Sequence, residues 1–219
     1  MGRNLEKDAI EMAAKNQRIL ENGFRIFAEN SIEKVTMNDV AKAAGIAISS
    51  LYRYYSTKPK LVMAVSTWAW SEYTKENERK EEEMAVSDRT AAEMFDYYLE
   101  TFIDLYNNHR DLLRFNQFFN IFLITEAVTE EEKQPYVDMI LGLAKRFGRI
   151  YRKAREDGTL RTDLSEKKMF SVTLHLMLAV VTRYAVGLVY SEETDAEEEL
   201  RMQKRMLMER FAIGERGVK

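Results

Sequence analysis

Apolar residues recur at helical spacing along almost the whole chain, and no stretch alternates with period two for long enough to suggest a strand. From residue 10 to about 29 the apolar positions Ile19, Leu20, Phe24 and Phe27 line one face, and Asn30-Ser31 breaks the pattern. Thr36 then stands three residues ahead of Asp39 and just before Val40, Ala41 and Ala44. In that arrangement the threonine oxygen caps free amides and the acid favours the positive helix end. The helix so begun is short, because Gly45 suits a left-handed cap within two turns. A third helix starts at Ile46 or Ala47 and runs to Tyr54 or Tyr55. Two short helices across a tight glycine turn, after a longer one, make a helix-turn-helix.

Further helices are predicted at 58–83, with Pro59 in the first turn, and at about 88–108, 111–125, 135–156, 165–190 and 195–211. Ser165 caps the segment 165–190, and Asp157-Gly158 closes the one before it. The segment 165–190 is apolar nearly all round, so one side is expected to meet its own chain and the other a second copy.

Composition narrows the class. The chain has 219 residues, 46% of them hydrophobic and 32% charged, which describes an ordinary globular protein. Only two prolines and nine glycines punctuate it, too few for a strand-rich fold. Cysteine is absent, which excludes disulfides, thiolate metal sites and a cysteine nucleophile. His109 and His175 are the two histidines, far apart, so neither a zinc site nor a histidine triad is expected. No glycine-rich phosphate loop is present, and the carboxylates are scattered on solvated helix faces. The expectation is therefore a protein that is not an enzyme and has no cofactor or metal. The amino-terminal residues lack the apolar core of a secretory signal, and the longest apolar run, 169–182, falls short of the roughly 20 residues that span a bilayer. A cytoplasmic location without membrane contact follows as an expectation.

The net charge of −3 argues against nucleic acid, but its distribution does not. Residues 1–60 hold ten Lys or Arg against seven Asp or Glu, and the remainder is acidic. Val40, Ile46 and Leu51 can lock the two short helices together, leaving Ser49, Ser50, Tyr52, Arg53 and Tyr54 as hydrogen-bonding groups on about one and a half turns. Ile48, Ser49 and Ser50 would face base edges, with Ile48 against a thymine methyl.

The stretch 23–61 resembles the amino-terminal module of the tetracycline-repressor (TetR) family of bacterial regulators. The resemblance rests on Phe27-Ala28-Glu29, Thr36, Val40-Ala41, Ala44-Gly45-Ile46, Leu51-Tyr52-x-Tyr54-Tyr55 and Lys58-x-x-Leu61. It covers about 40 residues closely, and the rest agrees in length and helix layout. The resemblance implies Thr36, Tyr52 and Lys58 as phosphate anchors and Asn38 as a position able to read a base, with Arg53 and Tyr54 able to reach either. Two departures stand out. Ala47 and Ile48 occupy positions that are often polar, and Ser31 a turn position that is often glycine, so Asn30 or Ser31 should be left-handed.

The fold so implied is all-α: a three-helix DNA-binding domain over 1–60 and a larger effector-binding and dimerisation domain over 61–219, about nine helices in all. Its aromatic residues suggest Trp68, Tyr98, Phe102, Phe118, Phe119, Phe122 and His175 as effector contacts. His175 and Arg183 alternatively serve an interface or pair with the acidic region 192–199. The expected partners are a palindromic double-stranded operator, a small apolar or aromatic effector, and a second copy bound through 165–190 and 195–211. The expected activity is that of a ligand-responsive repressor. The rival expectation is a helical small-molecule or partner-binding protein whose DNA face has lapsed, motivated by Ala47-Ile48 and the modest basic charge.

Overall fold

The structure is a computed structural model and describes residues 2–126, 128–188 and 195–213, with side chains from residue 7 onward. Nine α-helices occur among the described residues: α1 (Gly2–Asn30), α2 (Met37–Ala43), α3 (Ile48–Tyr54), α4 (Lys58–Glu83), α5 (Ala91–Asn108), α6 (Arg110–Thr125), α7 (Glu130–Asp157), α8 (Glu166–Ala185) and α9 (Ala196–Phe211). A single 3-10 turn, Val86–Asp88, precedes α5, and one isolated antiparallel bridge joins Leu160 to Ala212.

The chain divides into two compact units. The first comprises residues 1–72 with 114–138, the second 73–113 with 139–219.

In the first unit, α1, α2, α3 and the start of α4 close around Ile19, Phe27, Val40, Leu51, Leu61 and Val65, all fully buried. Ile46 packs against this core from a partly buried position. Phe115, Phe119 and Phe122 of α6 belong to the same core, stacked in a row at centroid distances of 5.9 and 6.4 Å. Stacked rings at such spacing add packing energy beyond the area they bury.

The local devices in this unit follow from single residues. Ser31 sits at φ +71 and ends the first helix, the left-handed turn expected there without a glycine to ease it. Thr36 makes a full capping box with Asp39 at the head of α2. Gly45 at φ +65 turns the chain, and the Ile46 amide donates to the Ala41 carbonyl at 3.0 Å, closing the end of α2.

The second unit is built on α5, α8 and α9 with the later part of α7. Phe95 and Phe147 are fully buried and meet edge to face at 6.3 Å; Phe211 and Phe170 extend the cluster. Asp157 receives the Ala91 amide at 2.8 Å and so caps α5 from outside it, alongside the Thr90–Glu93 capping box.

Four boundaries differ from the sequence reading, the first of them the start of α1, which lies at Gly2 rather than near residue 10. The fifth helix begins at Ala91 rather than near 88, because Ala85 takes a left-handed φ of +47 and a 3-10 turn intervenes. The seventh begins at Glu130 rather than near Pro135: Thr129 and Glu132 cap one another, and Pro135 lies inside the helix, where it withholds the amide that would reach Glu131. The eighth stops at Ala185 rather than running to Tyr190, because the chain turns at Gly187 (φ +80) and residues 186–188 are not helical; residues 189–190 lie outside the described residues. Ser165 caps α8 as the sequence suggests, and Asp195 caps α9.

Candidate nucleic-acid interface

The core of the first unit decides which α2 and α3 residues remain outside. Met37, Val40 and Ala41 of α2 point inward, as does Leu51 of α3. Thr36 and Asn38 at the head of α2 are exposed, together with Ile48, Ser49, Tyr52 and Arg53 on α3. Tyr52 retains 50% of its surface, so it is not a packed aromatic in this chain. These six are the exposed members of the expected contact set, with Ile48 the apolar one.

Two of the nine expected contacts are placed differently. Ser50 is buried to 7% exposure and faces the core side of α3, with Arg53 within 3.4 Å of its hydroxyl, so it does not share the exposed face of Ser49. A seven-residue helix must bury one side to dock at all, and Ser50 lies on that side beside Leu51. Tyr54 is half-buried against the core, and its hydroxyl donates to the Met12 carbonyl at 3.3 Å.

Lys58, the ninth, is half-buried at the start of α4, where its ammonium donates to the Glu33 carbonyl at 3.2 Å. Burial pushes its pKa below the usual lysine value, against the opposing charges of Glu126 and Glu33. Thr57 caps the same helix through the Lys60 amide at 3.3 Å. The Asp39 carboxyl is held below its ordinary pKa by the Thr36 hydroxyl and then by the Thr36 amide. It therefore stays ionised and is committed to the cap.

Sequence reasoning did not find Met12 and Asn16 of α1, which receive hydrogen bonds from the tyrosines that end α3. Separations of 42 and 39 residues leave no local signal for such pairs.

The expected effector residues divide between the units. Trp68, Phe118, Phe119 and Phe122 lie in or against the first core, with Trp68 edge-on to Phe24 and Phe119 edge-on to Tyr136 at 5.0 Å. Tyr98 and Phe102 lie in the second unit, edge to face at 5.3 Å, and burial pushes the Tyr98 hydroxyl well above the usual phenol range. His175 is on the outer face of α8 with Val172 and Leu176, exposed, and so is not an interior position of its unit. The Tyr184 hydroxyl donates to Glu199 of α9; residues 192–194 lie outside the described residues.

Fold and face together define a helix-turn-helix protein with a separate helical body. Residues 19–65 match the family model described as bacterial regulatory proteins, tetR family. An HTH-type transcriptional regulator of Staphylococcus aureus (strain bovine RF122 / ET3-1) is 39% identical over 61 residues, which are 28% of this chain and 31% of that protein. The chain thus spans about a third of the length of the curated relative it matches. Among solved structures, a putative transcriptional regulator from Saccharomonospora viridis in complex with choline matches with TM-score 0.74 at 13% identity, over 92% of this chain and 99% of that one. FadR from Bacillus subtilis in complex with stearoyl-CoA matches with TM-score 0.68 at 16% identity, over 88% and 97%. At these identities the two structures show the fold. Residues 19–65 are thus similar to the amino-terminal module of the tetR family of bacterial regulatory proteins, and the whole chain shares the fold of the regulators named above.

Proposed function

We propose that this protein is a ligand-responsive DNA-binding regulator, a repressor released from a palindromic operator by a small apolar or aromatic effector. The observation that carries the reading is the exposed face of Thr36, Asn38, Ile48, Ser49, Tyr52 and Arg53 beside the half-buried Lys58. In this assignment Ile48 and Ser49 meet base edges, Asn38 reads a base, and Thr36, Tyr52 and Lys58 hold phosphates. Arg53 reaches either, and Ser50 and Tyr54 support the helix from behind. No helix among the described residues is long and apolar enough to cross a membrane, which accords with a cytoplasmic regulator.

The effector class draws on two supports. Neighbouring folds were solved with stearoyl-CoA and lauroyl-CoA, ligands with long apolar chains. This chain supplies many aromatic side chains, and the neutral Tyr98 hydroxyl would donate a hydrogen bond to an effector's acceptor. Phe102, edge to face with Tyr98 in the same unit, is the apolar contact in this reading.

The second copy is assigned to α8 and α9. Val172 and Leu176 on α8, and Met202 and Met206 on α9, are exposed, and Met206 keeps 61% of its surface. A two-fold pairing there would present two α3 helices to successive turns of a palindrome. Effector binding then shifts the population toward dimers whose α3 helices no longer fit, with α4 carrying the change.

The test is capture of fragmented genomic DNA by the purified protein at near-physiological salt, followed by sequencing. A shared palindrome is the expected result. Recovery of nothing above background, with and without cell extract, would favour a lapsed DNA face.

A further inference from the structure

Two tyrosines at the end of α3 reach back to a single turn of α1. The Tyr55 hydroxyl donates to Asn16 Oδ1 at 2.7 Å, and the Tyr54 hydroxyl donates to the Met12 carbonyl at 3.3 Å. Met12 and Asn16 are four residues apart and therefore share one face of the helix. A helical carbonyl has a second lone pair beyond the one used in its own ladder, so Met12 can accept the extra bond without loss of helix. Burial pushes the Tyr55 pKa up, which keeps its hydroxyl protonated and a donor at any physiological pH.

The other end of the same helix is gripped by different partners. Phe24, two turns beyond Asn16, lies 6.1 Å from Trp68 of α4 and 5.5 Å from Phe115 of α6. At Gly23 an added Cβ would meet Val65 Cγ2 at 3.1 Å, so α1 runs close against α4. Phe27 beyond it is fully buried.

The seven-residue α3 needs such support. Its N-cap, Ala47, offers no side-chain cap, and within the helix Leu51 and Ser50 are its buried residues. A helix held chiefly at its middle can tilt, and hydrogen bonds to base edges weaken steeply with misalignment, whereas phosphate contacts tolerate more.

The geometry points to α1 as the positioning element of the recognition helix: the turn at Met12 and Asn16 sets where the end of α3 lies, while Phe24 anchors the other end of α1 against α4 and α6. This rests on the DNA-binding reading above and adds to it residues that act through α3. Its signature is a loss of specificity without a loss of general DNA affinity.

The variants are Tyr55→Phe, which removes one oxygen, Asn16→Ala, and the two combined. Each single change is expected to lower affinity for the operator duplex recovered by the parent protein by about three- to tenfold. The double variant should lose little more than either single one, because both remove the same bond. Binding to poly(dI-dC) should stay unchanged, and Asn16→Asp, which keeps an acceptor, should restore operator binding. Amide exchange at residues 51–55 should quicken while that at 19–27 holds. Operator affinity equal to the parent's, or an equal fall on both DNAs, overturns the assignment. If the parent selects no operator, the DNA-binding reading fails separately, and unchanged exchange at 51–55 in Tyr55→Phe then overturns the positioning role.

Discussion

The Thr36 hydroxyl donates to the Asp39 carboxylate at 2.6 Å, and the Asp39 amide donates back to the same hydroxyl oxygen at 3.2 Å. This reciprocal cap starts α2 at the edge of the proposed DNA face, so one residue serves both the helix and the proposed phosphate contact. Thr36→Ala should therefore cost about 1 kcal/mol of stability through loss of the cap. Thr36→Ser should keep the stability and most DNA binding. Urea melts of the two variants separate the roles; equal midpoints for Ala and Ser would remove the cap from the account.

Acid should weaken the fold through the same kind of device. The Asp39 and Glu93 carboxyls are held below their ordinary values of 3.8 and 4.5, first by the hydroxyls of Thr36 and Thr90 and then by the backbone amides of the same residues. Because the folded pKa is the lower one, the stabilisation is complete above the unfolded value and fades as pH falls through the folded one. Thermal midpoints should be flat from pH 7 to about 5 and drop below about 4, and the Asp39→Asn variant should show a shallower drop. An identical drop in that variant would mean other carboxylates set the acid response.

Ser31 pays for its left-handed backbone at φ +71. Glycine avoids that penalty of about 1–2 kcal/mol but costs about 0.5–1 kcal/mol more in chain entropy, so Ser31→Gly should stabilise slightly, by up to about 1 kcal/mol. The denaturant midpoint should rise with an unchanged slope. A lower midpoint would show that the Ser31 side chain contributes more than its backbone loses.

Lys58 gives a prediction in salt. If its ammonium leaves the Glu33 carbonyl for a phosphate, Lys58→Gln should reduce the slope of log affinity against log salt by about one. The loss should be nearly the same on every DNA sequence. A slope equal to the parent's would return Lys58 to the role of a helix-start lysine bound to the 31–36 turn.

Leu176 tests the self-association surface. Leu176→Glu puts a charge on the exposed face of α8, beside Val172, and should convert the proposed dimer to monomer in sedimentation while leaving the helical signal intact. Operator affinity should fall with it, because one recognition helix cannot read two half-sites. A sedimentation profile like the parent's would place the second copy elsewhere.

What the residues determine by themselves is local. Helical spacing, Thr36 ahead of Asp39, Gly45 after Ala44, Ser165 and Asp195 each act within one or two turns, so α2, α4, α8 and α9 start where the pattern says. Ser31 shows its left-handed turn for the same reason, since backbone sterics depend on the residue in place. Tertiary structure decided what depends on partners distant along the chain. Ser50 turned inward beside Leu51 because a short helix has only one side to bury, and no spacing rule distinguishes it from Ser49. Phe119, read as an effector contact, became fully buried between Phe115 and Phe122, while His175 stayed outside on α8. Tyr54 and Tyr55 found Met12 and Asn16 across some forty residues, because burying the rings of α3 against α1 brings their hydroxyls to the one turn able to accept them.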